Sequence, residues 1–456
     1  MSIAHTEIAT AGGEGDTSWR LQLNEGSALL RLAAPIMLIA LVNMGMSVTD
    51  TLMVAMLYGT DALAAVSVGS DLYSIIFYLC AGTLGGVASF YAQAVARGDV
   101  ADRARLKRIG WMMAALLALP AVPLVWFAPQ WLQVFGLKRD LLLMGEGFTQ
   151  VMALTLVPML GVTLYRTILT AAEKPLAFLK VTLAMLPLNA IGNYVLMQGL
   201  GPVPALGPIG SAVATLLVAT GTLLTLAVMA RGDTETPPAA AFDWHGLLAV
   251  LRVGLPIGVT AATETGIYLA VTLYAATLGA ADVAAHTLTL RMAGIVYAGS
   301  AALQQAAMVR MARALGLSDM PGSRAVLAGS LWLSAGGGIV LFVLLAVGAQ
   351  PLAAWFFDAS PAGLAAMQVA IGLLVLLGLL QAVGYPGLAA LGLLRGQKDT
   401  RMPMLFKLVA YWGIGTPLGI WLCEMQRLGV TGLWIGLVTG AALTTILTLA
   451  RLYTRR

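Results

Sequence analysis

Long apolar runs alternate with short polar connections along nearly all of the 456-residue chain. A helix needs about 20 mostly apolar residues to cross a bilayer. Twelve segments meet that requirement: 29–57, 62–96, 109–128, 143–170, 175–199, 208–230, 249–278, 282–309, 325–347, 362–394, 403–424 and 430–450. The pattern predicts an all-α membrane protein with twelve transmembrane helices. Several segments exceed the minimum, which predicts tilt or extension beyond the lipid. Met1 to Glu25 is polar and the first apolar run is full length, unlike the short apolar region of a cleaved leader.

Composition narrows the class. Hydrophobic residues make up 59% and charged residues 10% of the chain, whereas soluble domains carry about 25% charged residues. That excludes a soluble globule. The 51 glycines suit helices packed closely in lipid. Cys80 and Cys423, the two cysteines, lie in apolar stretches and form no disulfide framework or thiolate metal motif.

Basic residues set the orientation. Arg97, Arg103, Arg105, Lys107 and Arg108 follow the second span, and Arg310, Arg313 and Arg324 follow the eighth. Arg395, Lys398 and Arg401 follow the tenth, and Arg451, Arg455 and Arg456 end the chain. The alternate loops hold only Lys138, Arg139 and Arg427. Both termini are therefore expected in the cytoplasm.

The chain also repeats at a spacing of about 221 residues. Arg31-x-x-x-Pro35 recurs as Arg252-x-x-x-Pro256, and the stretch from Gly59 to Ala65 recurs as Gly279 to Ala285. Leu206-Gly207-x-x-Gly210 recurs as Leu428-Gly429-x-x-Gly432. Six spans per copy predict two six-helix lobes related by pseudo-two-fold symmetry, with a substrate site between them. The expected boundaries are 1–231 for the amino-terminal lobe, 232–243 for a cytoplasmic linker and 244–456 for the carboxy-terminal lobe. Each chain is expected to contain its own cavity and to work as a monomer.

Charges inside a span are costly and usually face a cavity or a partner. Arg31, Arg166, Lys180, Arg252 and Lys407 lie toward the cytoplasmic ends of their spans, where long side chains reach the interface. His286 is expected to be interfacial or hydrogen-bonded. Asp50 and Glu264 each sit on the first span of a half, with no basic neighbour one turn away. Such a carboxylate can exchange a proton or hold a dehydrated cation, so sodium at Asp50 or Glu264 is admissible. Asp71 and Arg291 stand 220 residues apart. They predict either a gating ion pair between the lobes or separate pairs, one within each lobe. Asn189 and Asn193 share one helix face, with Thr215 on the next span. These amides and the hydroxyl suit a buried carboxylate and its cation, although such groups also serve as interhelical contacts. Met44, Met46, Met53 and Met56, with Tyr268 one turn from Glu264, offer an adaptable apolar lining or ordinary core packing.

Together these residues resemble the multidrug and toxic compound extrusion (MATE) family, in its bacterial NorM-like branch. The resemblance rests on Arg31–Ser67, Leu186–Asn193 (LPLNAIGN), Ile209–Thr215, Gly254–His286 and Leu394–Thr400 (LRGQKDT), and spans all twelve segments. It implies cation-driven export of bulky, often cationic, drug-like small molecules from the bacterial inner membrane by alternating access, without a cofactor or nucleic acid. It also implies that Asp50 binds the coupling cation with Asn189, Asn193 and Thr215 around it, and that Glu264 is the acid of span seven. One departure stands out. The family often has an aspartate in span ten, where this chain has Gly384 and no acid at all. That shifts the expectation toward proton coupling through Asp50 rather than sodium coupling in the second lobe.

Two rival transporters differ in detail. A lipid-linked oligosaccharide flippase of the same superfamily usually has fourteen spans and more cavity arginines. A major-facilitator transporter would carry a second glycine in the loop that here reads Gly98-Asp99-Val100-Ala101-Asp102-Arg103. A membrane enzyme is not expected: no HExxH, Gly-x-Ser-x-Gly or phosphate loop occurs, and His5, His245 and His286 are far apart.

Overall fold

The computed structural model describes the backbone of residues 4–134, 136, 139–230 and 243–454, with side chains from Arg20 onward. The linker read at 232–243 lies outside the described residues except for Asp243. Among the described residues the chain is helical throughout and holds no strand beyond one isolated bridge, Leu200 to Val203. Backbone groups in lipid must be satisfied within the segment, and a helix does so.

Helix α1 (Ala4–Leu84) carries the first predicted span and most of the second, and it is broken at Gly59. There φ is 81° and ψ is −176°, a backbone conformation available to glycine. Then follow α2 (Val87–Ala96), α3 (Val100–Trp126), α4 (Ala128–Val134), α5 (Arg139–Ala171), α6 (Pro175–Gln198) and α7 (Ile209–Met229). The second half has α8 (Trp244–Ala275), α9 (Ala280–Gly316), α10 (Met320–Phe356), α11 (Pro361–Gly396) and α12 (Arg401–Leu408). A π-helical stretch, Val409–Gly415, joins α12 to α13 (Thr416–Glu424), and α14 (Val430–Thr454) ends the fold.

Among the described residues ten helical stretches have the length and hydropathy to cross a membrane, the first of them Arg20–Ala96 at 77 residues. That stretch holds two predicted spans. Helix α9, 37 residues long, is not among the ten; it carries Asp282, Arg291, Arg310 and Arg313, with Gln304 and Gln305 in its uncharged stretch. With α9 included and the long stretch taken as two, the twelve predicted spans are all present as helices.

Two compact units emerge, residues 38–266 and residues 1–37 with 267–456. Both divisions fall inside helices, α1 and α8, so the first helix of each half contributes to two units. In the unit of residues 38–266, Ile109, Met113, Leu156, Leu160 and Leu164 fill the core. Here the end of α1 and the turn into α2 meet α8 through two pairs of small residues, Gly82 with Gly86 and Gly254 with Gly258. A Cβ added at Gly254 would stand 2.0 Å from the Thr83 carbonyl oxygen, and one at Gly258 2.2 Å from that of Leu79. The backbones therefore touch, as small residues four apart allow. In the other unit Leu373, Leu374, Leu377 and the fully buried Trp434 form the core. There Arg310 grips Glu25 with contacts of 2.6–3.0 Å, and Arg451 reaches Asp399 at 3.0 Å.

Helix starts are fixed by acidic caps. Asp99 accepts from the Asp102 amide at the start of α3, and Asp319 from the Gly322 amide at the start of α10. Asp243 accepts from the Gly246 amide at 2.9 Å and from Arg105 Nε at 2.6 Å. These two donors, the amide foremost, hold the Asp243 carboxyl below the usual carboxylate range.

Candidate functional site

Asp50 lies on α1, half-buried, in the unit of residues 38–266. Asn193 Nδ2 donates to its Oδ1 at 2.5 Å. Asn189, one turn earlier on α6, and Thr215 on α7 adjoin the same carboxylate. Asn189 and Asn193 are almost wholly buried, at 1% and 0% exposure. The helices are held in register around them. Gly192 faces Ala214 where α6 packs on α7, and Tyr58 Oη donates to the Met197 carbonyl at 2.6 Å, tying α1 to the end of α6.

The polar balance of this cluster is uneven. Thr215 Oγ1 donates to the Ser211 carbonyl at 3.0 Å, which leaves its oxygen as an acceptor toward the site. Asn193 Oδ1 and both amide atoms of Asn189 are buried without a hydrogen-bond partner among the described residues. Buried polar groups are rarely left so. The Asp50 carboxylate and the acceptor oxygens of Asn189, Asn193 and Thr215 thus converge with the amide donors of the two asparagines, of which the Asn189 amide is unspent. Chemically, such a set can take up a proton on Asp50, which turns an acceptor into a donor. It can equally accept a small dehydrated cation among its oxygens. Among the described residues no group of three or more His, Cys, Asp or Glu side chains could hold a metal.

The other expected residues fall elsewhere. Glu264 is half-buried on α8 in the same unit, while Tyr268, also half-buried, belongs to the other. Met53 packs against the core of residues 38–266. Asp71 on α1 and Arg291 on α9 are both exposed and belong to different units. Gly384, at the place of the missing span-ten acid, is half-buried in α11. Lys407 departs from the expectation for a long side chain near a span end: it is 3% exposed, with Nζ 5.9 Å from the Tyr411 ring centre.

In the second half, the residue 221 positions after Asp50 is Val271. It lines a small cavity with Tyr411, Gly415, Thr416 and Gly436, none of them acidic. His286 is nearby in sequence order and forms a closed network. The Trp434 indole donates to its Nδ1 at 3.2 Å, so Nε2 carries the proton and meets Thr272 Oγ1 at 2.9 Å. Thr272 in turn donates to the Tyr268 carbonyl. Every donor there has an acceptor, the reverse of the Asp50 cluster. Sequence reasoning missed Tyr58 and Trp434. Their partners lie 139 and 148 residues away, and no local pattern signals either contact.

Comparison with known proteins bears on this arrangement. A family model described as MatE matches the chain twice, over residues 35–195 and 256–421. The chain belongs to the MATE family. The two matches begin 221 residues apart, the spacing of the sequence repeat. A multidrug resistance protein NorM of Burkholderia vietnamiensis is 32% identical over 429 residues, covering 91% of each chain. A probable multidrug resistance protein NorM of Burkholderia mallei is 34% identical over 428 residues, covering 90% of this chain and 89% of that one. Among solved structures, a MATE protein in a bent conformation superposes with a TM-score of 0.85 at 18% identity, covering 96% of this chain and 97% of that one. The eukaryotic MATE transporter AtDTX14 gives 0.84 at 17%, covering 95% and 96%. The MATE fold and multi-pass membrane character follow. MATE proteins are transporters rather than enzymes, and they need no resident cofactor, since the coupling ion is cargo.

Proposed function

We propose that this MATE protein is a multidrug efflux antiporter of the bacterial inner membrane, with both termini cytoplasmic, driven by protons bound at Asp50. The observation that carries this reading is the buried, acceptor-rich cluster of Asp50, Asn189, Asn193 and Thr215, with no acid at the matching place in the second half. The resistance-protein names of relatives at 32–34% identity support the class of cargo.

The cycle is alternating access by a monomer with lobes at 1–231 and 244–456. A proton adds to the Asp50 carboxylate from the outer side, and the new hydroxyl donates to a neighbouring acceptor. The helices around it repack and the drug leaves. The proton is then lost to the cytoplasm, and drug binds again. Each ligand shifts the equilibrium only by its different affinity for the two states, so drug and proton must favour opposite ones. Asp71, Arg291, Tyr268 and Met53 are the cavity or gating residues of this reading, and Glu264 is its second candidate carboxylate for the coupling cation.

The test is efflux of a fluorescent organic cation from proteoliposomes under an imposed proton or sodium gradient. Wild type is expected to respond to protons, and Asp50→Asn to lose the response entirely. Sodium-driven efflux that survives Asp50→Asn and fails in Glu264→Gln would relocate the coupling site. Absence of drug movement under both gradients refutes the drug-export reading.

A further inference from the structure

We propose that one face of α1 is a cargo-docking surface of the first half, and that it takes an organic cation, the charged group against Asp71 and the aromatic body against Tyr78. The naming of cargo rests on the drug-export reading above; the face itself is a feature of residues 60–78, within the unit of residues 38–266.

Beyond the break at Gly59, α1 divides sharply into two faces. Ala65, Gly69, Tyr73, Ile76 and Cys80 are buried, and Gly69 lies against Thr149 and Phe148 of α5. Ala64, Asp71 and Tyr78, spaced by seven, are exposed. Seven residues make nearly two whole turns, so these three share one meridian, opposite the buried one. Thr60, Ser67 and Ser74 lie on or beside it. Asp71 stands ten residues beyond Asp61. That is about 15 Å along the axis, half the thickness of a hydrocarbon core. An exposed carboxylate at that depth faces water rather than lipid, and hydroxyls on the same meridian agree with a wetted face. Asp71 makes no hydrogen bond or ion pair among the described residues.

The rest of the face says what kind of cation. Tyr78 is 48% exposed. Its ring is braced at 5.6 Å by Phe77, which stacks on the buried Tyr73 at 5.8 Å. Arg166 of α5 lies within electrostatic reach of Tyr78. The face is therefore negative at Asp71 and, two turns or about 10 Å further on, aromatic with a basic group behind it. That polarity orients a ligand, its positive group at Asp71 and its ring at Tyr78. An inorganic cation would use the carboxylate alone. The matching helix of the second half repeats the exposure with the opposite sign. On α9, Thr287, Arg291 and Ile295 are exposed at a spacing of four, with Arg291 at the place of Asp71. Attraction of a positive group thus falls to the α1 face.

Titration calorimetry of the full chain in detergent, with no gradient present, tests the face with two permanent cations. Biphenyl-4-yl-trimethylammonium is long enough to meet both residues, and phenyltrimethylammonium is not. Asp71→Asn is expected to weaken both about fivefold. Tyr78→Leu should weaken the biphenyl compound about threefold and leave the phenyl compound unchanged, while Tyr78→Phe should bind like wild type. Asp61→Asn removes the same charge from another exposed position of α1 and should change neither. Unchanged binding in Asp71→Asn overturns the proposal, as does equal loss in Asp61→Asn. Displacement of the biphenyl compound by sodium but not by potassium, at equal ionic strength, would make Asp71 an inorganic-cation site and also overturn it. The two readings fail separately. A chain that binds through Asp71 but exports no drug refutes the function proposed above and leaves the docking face standing. Proton-driven efflux by a chain whose Asp71→Asn form binds normally does the reverse.

Discussion

A side chain that holds and releases a cation needs neighbours that serve both states. Asp50 has one committed donor, Asn193, and beside it two amide oxygens and the Asn189 amide nitrogen without partners. Removal of that donor leaves a buried carboxylate short of a partner, which costs about 1–3 kcal/mol. Asn193→Ala is therefore expected to lower the melting temperature in detergent. Asp50→Asn combined with Asn193→Ala should melt no lower than Asn193→Ala alone, because the two share one interaction. An additive loss would show that they act independently. Trp434→Phe should behave differently. It removes the donor to His286 Nδ1 and so costs about 1 kcal/mol, yet proton-driven efflux should persist, since that network is fully satisfied. Loss of efflux in a well-folded Trp434→Phe protein would contradict this. The polar members of the Asp50 cluster were legible because each interrupts an apolar span, and the spacing of four put both asparagines on one face. Tyr58 and Trp434 were not legible, because aromatic residues in a span read as packing until a distant acceptor is known.

At the scale of elements, close packing and turn geometry carry the repeat. Left-handed backbone recurs at Gly59 and Gly279, at Gly98 and Ser318, and at Gly207 and Gly429, always 220–222 residues apart. Sequence identity alone showed only part of this, because Ser318 adopts with strain what Gly98 adopts freely. Abundant glycine announced close helix packing without saying which helices touch. The α1–α8 contact decides that question, and Gly254→Val should abolish the monodisperse protein on gel filtration. Gly45→Ala, with nothing within 4 Å of the added carbon, should be tolerated. Asp243 gives a pH signature. Its carboxyl is depressed in the folded state, so its contribution is present above the unfolded value of about 4 and is lost as pH falls through the lower folded value. The melting difference between wild type and Asp243→Asn should be full at pH 6, shrink as the pH falls below about 4, and vanish only beneath the depressed folded value. A difference that persists in acid would show that the Asp243 charge is not its source. The π-helical stretch Val409–Gly415 had no sequence signal, for its glycines are matched by many elsewhere in the chain.

For the whole molecule, all twelve spans were legible from apolar length, and α9 shows why length and periodicity outrank mean hydropathy. It falls short in mean hydropathy while its 37 residues remain one helix. The division of α1 and α8 between compact units was not legible, because a span long enough to cross a bilayer gives no sign of changing partners part-way. Orientation is open to direct chemistry. Ala101, beside the basic loop before α3, and Ala359, between α10 and α11, are both exposed. A membrane-impermeant maleimide should label Ala359→Cys on intact cells and reach Ala101→Cys only after the membrane is opened; the opposite pattern would invert the proposed topology. That experiment is unusually clean for a reason set inside the cores. Cys80 and Cys423 are the two cysteines of the chain, and they are 3% and 5% exposed. The native protein thus presents labelling chemistry with a nearly silent background. Pairs of dyes placed on the two halves would report their motion during turnover without any natural thiol first being removed.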